Sequence, residues 1–74
     1  MKREPRKLTA REIEIIRMVA VGVRNREVAE HLGISIKTVE THRANIMNKL
    51  ALRGTVDLVH YALREKLIKV QPER

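Results

Sequence analysis

The sequence predicts an all-α fold, a four-helix domain that contains a helix-turn-helix. Three observations carry this. Apolar residues recur at helical spacing in four successive segments, and no segment sustains the alternation of a half-buried strand. A residue able to cap a helix start stands before each segment, at Thr9, Asn25, Ser35 and Thr55. The glycines stand singly at Gly22, Gly33 and Gly54, where the stripes break off.

The first helix opens on Thr9-Ala10-Arg11-Glu12, a capping box in which the Thr9 hydroxyl accepts the Glu12 backbone N–H and the Glu12 carboxylate reaches back. Leu8 can staple onto Ile13, and Ile13, Ile15, Ile16, Met18, Val19 and Ala20 form a wide apolar stripe. Gly22 is a natural stop, because the left-handed conformation costs glycine little. Asn25 is expected to cap a short second helix through Val28, Ala29 and Leu32, ended by Gly33. Ser35 is expected to cap a third, striped by Val39, Ile46, Met47 and Leu50, and Thr55 a fourth, with Val56, Leu58, Val59, Ala62 and Leu63 on its inner side. Pro5 and Pro72 fall outside all four.

Composition narrows the function. The 74 residues suffice for one domain, with 16 Lys and Arg against 9 Asp and Glu, a formal charge of +7, one aromatic (Tyr61) and no Cys. No thiolate metal site or disulfide framework is available. No apolar run approaches the roughly 18 residues of a membrane span, and the opening residues show no apolar signal region, so the expected compartment is the cytoplasm. A core this small favours a partner or a dimer. The basic excess points to a polyanion, nucleic acid first. It is concentrated in residues 1–7 and 34–53, each carrying +3. A basic tail is equally a solvated end or a linker.

Residues 26–50 are the most informative. Two helices are joined by Leu32-Gly33-Ile34-Ser35, with small Ala29 allowing a close crossing and Ile34 able to plug the angle. A short helix, a glycine turn and a longer capped helix form the helix-turn-helix pattern; the plainer alternative is a helical hairpin in a small bundle. The third helix weighs against the hairpin. Opposite its apolar stripe lie Lys37, Thr41, Ala44, Asn45 and Asn48, flanked by Glu40 on one border and His42 and Lys49 on the other. Short polar side chains suit the floor of a major groove, and cations at the edges suit phosphates. The helix start, with free N–H groups at Ile36 to Thr38, can also receive a phosphate.

The remaining chemistry-bearing residues have structural explanations. His31, His42 and His60 never place two on one face with a carboxylate, so no metal is expected. Ser35 is a cap and not a nucleophile; Glu12 and Glu14 are a cap and a solvated carboxylate. The methionines fill gaps. Tyr61 fits either the core or, by its helical angle, an exposed face. No catalytic constellation, cofactor loop or pocket-forming length supports an enzyme. The competing reading is a small basic helical module that binds an acidic protein partner.

Several motifs in order resemble one family. Leu8-Thr9-Ala10-Arg11-Glu12-Ile13-Glu14-Ile15, Asn25-Arg26-Glu27-Val28-Ala29, Ile34-Ser35-Ile36-Lys37-Thr38-Val39-Glu40-Thr41-His42, Asn45-Ile46-Met47-Asn48-Lys49-Leu50 and Leu58-Val59-His60-Tyr61-Ala62 together resemble the LuxR/FixJ-type (NarL-like) helix-turn-helix domain of bacterial transcription regulators. The match runs from residue 8 to about residue 68. The resemblance implies a recognition helix that reads bases through Lys37, Glu40, Thr41 and Ala44. It implies DNA-backbone contacts near Asn25, Thr38, Asn45, Lys49 and Arg53, and a dimer face on the fourth helix at Asp57, His60, Tyr61 and Arg64. Duplex DNA, a second copy of the chain and RNA polymerase are the implied partners, with no cofactor. Family members are stand-alone regulators or output domains, often of two-component response regulators. The expected organisation is a tail or linker remnant at 1–7, the domain at 8–70 and a C-terminal tail at 71–74. Glu40 and Ala44 stand where several relatives place basic or larger polar side chains, so base preference does not transfer. Ala51 stands where glycine is usual, a change expected to alter the helix end and little else.

Overall fold

A computed structural model describes residues 8–69, and the basic N-terminal segment lies outside the described residues. Four helices follow one another: α1 (Ala10–Ala20), α2 (Asn25–Leu32), α3 (Ile36–Leu50) and α4 (Thr55–Arg64). α1 is the central support, packing against the other three, while α2 packs on α3. Ile15, Ile16, Val19, Val28, Ala29, Val39, Ile46, Leu58 and Ala62 close the core, with every helix contributing. In a core of this size, truncating Ile46 to Ala would cost about 2–5 kcal/mol, comparable with the whole stability of a small domain.

The helix ends follow local chemistry. The α1 capping box forms as expected: the Glu12 N–H donates to Thr9 Oγ1 at 3.0 Å and the Thr9 N–H to Glu12 Oε1 at 2.9 Å. Ser35 caps α3, its Oγ accepting the Thr38 N–H at 3.0 Å. The other two caps differ from expectation. α2 is preceded by Arg24, whose N–H donates to Glu27 Oε1 at 3.1 Å, so Asn25 is the first helical residue. α4 is preceded by Gly54, and the Arg53 N–H donates to Asp57 Oδ2 at 3.0 Å. In both cases a carboxylate in the first turn supplies the acceptor, and the polar side chain at the first helical position is engaged by another helix.

Gly33 adopts the left-handed conformation (φ 70°) that turns α2 toward α3, and the Ile34 N–H closes the turn on the Ala29 carbonyl at 3.0 Å. Ile34 packs against the core and Ala29 is buried, as their expected places between α2 and α3 require. The stripe expected on α4 is only partly core. Val56 is 67% exposed, and Val59 and Leu63 are half-buried outside the core set, because burial on α4 is centred on Leu58 and Ala62.

Candidate nucleic-acid interface

α3 presents two faces fixed by its own spacing. Val39 and Ile46 are buried, and Met47 and Leu50 pack against the core. On the opposite arc Lys37, Thr41, Ala44, Asn45 and Asn48 are all exposed, as is Glu40 at its border. Apart from Lys37 near the start, no side chain on that arc is longer than asparagine, so the helix backbone can approach a surface closely. At the N-terminus Thr38 is exposed, but its N–H is taken by Ser35, whose hydroxyl also lies 2.9 Å from Thr38 Oγ1. The expected free donors therefore shrink to those of Ile36 and Lys37.

The border residues are more entangled than their positions suggest. Lys49 is half-buried, and its Nζ donates to Glu12 Oε1 at 2.7 Å. The Glu12 side chain is only 7% exposed. The same oxygen that closes the α1 capping box thus anchors the last turn of α3. Burial alone would raise the Glu12 carboxyl; the hydrogen bonds from Lys49 and Thr9, with the Lys49 charge, outweigh it and hold the carboxyl below its usual range. Arg53 extends into solvent, 3.9 Å from Asp57, too loose and exposed a pair to neutralise it.

Asn25 is half-buried, and its Oδ1 accepts from Arg43 Nη1 at 2.8 Å. That leaves the amide N–H donors of Asn25, the half a phosphate would use. The other nitrogen of the same fork, Nη2, donates to Thr55 Oγ1 at 3.3 Å. Nothing in the motif reading singled out Arg43, although there was a signal: it falls on the apolar arc of α3, where a charge needs an explanation.

The four residues expected on the α4 dimer face are unequal. His60 and Arg64 are exposed, whereas Asp57 and Tyr61 are half-buried. Asp57 accepts from the Arg53 backbone, and the Arg64 guanidinium lies 5.8 Å from the centre of the Tyr61 ring. The exposed ridge is instead Val56, His60 and Arg64, with Val59 and Leu63 half-buried beside it. Among the described residues no group of three His, Cys, Asp or Glu could hold a metal ion.

A family model described as bacterial regulatory proteins of the LuxR family matches residues 6–62. The chain belongs to the LuxR family. Its four helices are that family's helix-turn-helix DNA-binding domain. Oxygen regulatory protein NreC of Staphylococcus aureus (strain JH9) is 48% identical over 62 residues, 84% of this chain and 29% of NreC. The LuxR-family chain thus spans less than a third of the length of the curated relatives it matches. Among solved structures, VqmA of Vibrio cholera in a ligand–DNA complex superimposes with a TM-score of 0.77 and 33% identity, over 97% of this chain and 32% of that one. ChrA, the response regulator of a heme-sensing two-component system, gives a TM-score of 0.77 and 36% identity over 89% of this chain and 33% of that one.

Proposed function

We propose that this LuxR-family domain binds duplex DNA sequence-specifically with α3 in the major groove, as a pair joined through α4 on a two-half-site operator. The observation that carries the reading is the α3 arc of Lys37, Thr41, Ala44, Asn45 and Asn48, exposed and short-chained on the helix that follows the glycine turn. Lys37, Glu40, Thr41 and Ala44 read base edges: Thr41 by hydrogen bonding, Ala44 through a thymine methyl, Glu40 by accepting from a cytosine amino group. Thr38, Asn45 and Arg53 hold the backbone, and Asn25 donates from its amide at the start of α2. Lys49 has its ammonium on Glu12 and serves by fastening α3 to α1. The pairing face is the exposed ridge of α4, His60 and Arg64 with Val56, bordered by Asp57 and Tyr61.

The likeness to NreC and ChrA, each of which this chain covers to about a third of its length or less, supports a place as the output part of a larger regulator. On this reading the domain spans residues 8–70, works in the cytoplasm and acts with RNA polymerase. The DNA complex of VqmA supports the nucleic-acid reading. Selection of bound duplexes from a random pool tests it: an enriched, roughly palindromic motif is expected. A salt titration separates this from an acidic protein partner, since each neutralised phosphate contributes a log–log slope of about −0.9. Recovery of no motif, with binding indifferent to sequence, would overturn the proposal.

A further inference from the structure

Arg43 is a cation in the wrong place for a base reader. It lies two residues beyond Thr41, about 200° around the α3 axis, on the side of Val39 and Ile46. Its half-buried side chain reaches the first residues of both α2 and α4, through Asn25 Oδ1 at 2.8 Å and Thr55 Oγ1 at 3.3 Å. Both helix starts carry the positive end of a dipole, which disfavours a guanidinium. Among the described residues no carboxylate forms an ion pair with Arg43 to offset this. What keeps it there is geometry: a rigid fork whose separate N–H groups meet two oxygens at once, which an ammonium on a flexible stem reproduces poorly. The link matters because α4 packs mainly on α1, and α3 is not among its principal packing partners. Arg43 therefore supplies a direct polar tie between the helix that reads DNA and the helix proposed to pair two chains.

We propose that Arg43 is a positioning residue for DNA recognition, bracing α3 against the first turn of α4 and so setting the half-site spacing that a paired domain accepts. The inference rests on the DNA-binding and pairing reading above. In a pair joined through α4, a change in the α3–α4 angle moves the two recognition helices relative to one another. One helix reading one half-site does not register it.

The experiment uses the selected half-site in duplexes carrying one copy, or two copies at varied spacing, with the wild-type chain and the variants R43M, R43K and T55V. T55V leaves the Arg43–Asn25 bond in place, so it isolates the tie to α4 should R43M fold poorly. The wild type should favour its best spacing at least tenfold over one shifted by about half a helical turn. All three variants should cut that ratio to threefold or less, with one-copy affinity within twofold of wild type and the salt slope unchanged. A wild type with spacing preference whose T55V and R43M variants keep it in full overturns this inference alone. If R43K restores binding while R43M loses about one phosphate's worth of salt slope, Arg43 touches DNA directly and the brace is refuted. A wild type indifferent to spacing and to the second half-site overturns the pairing reading and this inference together.

Discussion

Two residues on α3 show how position and partner divide the work of a recognition helix. Thr41 stands at the centre of the exposed arc, with no neighbour to hold up. Thr41→Ala should therefore leave thermal stability close to wild type and relax preference at one or two base pairs, by about 1–3 kcal/mol, measured by competition between selected and single-substituted duplexes. Lys49 is the opposite case. Its ammonium neutralises a carboxylate that is 7% exposed, so Lys49→Met leaves a buried charge without its cation. Because Lys49 itself stays 28% exposed and water reaches its end of the pair, a loss of about 1–3 kcal/mol is expected in chemical denaturation. The salt slope of DNA binding by the folded fraction should not change, since a cation already compensated by Glu12 displaces few counterions. A slope reduced by one phosphate would return Lys49 to the DNA backbone.

Among the helices, the end of α3 carries an avoidable strain. Ala51 adopts φ 56° and ψ 42°, the left-handed conformation in which a Cβ crowds the following carbonyl oxygen. The turn still forms, with the Leu52 N–H on the Met47 carbonyl at 2.9 Å, so the departure from glycine changes its cost and not its shape. Ala51→Gly should stabilise the domain by about 0.5–1 kcal/mol and raise the melting temperature by a few degrees, with DNA affinity unaltered. The start of α3 shows the reverse: Ser35 meets Thr38 as its spacing implied, a bond made entirely within one turn and hence legible in the sequence. α2 and α4 each begin one residue earlier than their capping side chains imply, for a common reason. Asn25 and Thr55 have capping side chains, but both are claimed by Arg43 from another helix, and Glu27 and Asp57 reach back to accept the backbone N–H groups of Arg24 and Arg53 just ahead of each helix.

For the whole molecule, acid stability and pairing are the quantities to measure. The Glu12 carboxyl is held below its ordinary value of 4.5 in the fold. Its contribution is present in full above that value and is lost as pH falls through the lower folded value, because the unfolded chain takes up the proton first. The melting temperature should drop as pH falls below about 4.5, and Glu12→Gln, which has no charge to lose, should flatten that limb. On α4, the double substitution Val56→Asp and Arg64→Glu alters the exposed ridge without entering the core. It should weaken binding to a two-half-site duplex at least tenfold more than binding to a single half-site in a mobility-shift titration. Equal losses would place the pairing face elsewhere.

Helix number, the glycine turn at Gly33, the box at Thr9, the Ser35 cap and the bare face of α3 were all readable along the chain, because each depends on residues within one or two turns of each other. Periodicity alone says which way Thr41 and Ile46 point. The pairs Glu12–Lys49, Arg43–Asn25 and Arg43–Thr55 were not readable. Each of those side chains has an adequate local role, as cap, surface charge or backbone donor, and the partner that claims it arrives only when the helices pack. The exposure of Val56 belongs with them: a stripe of apolar residues defines a face, but its burial depends on whether another element lies across it, and among the described residues Val56 is left exposed.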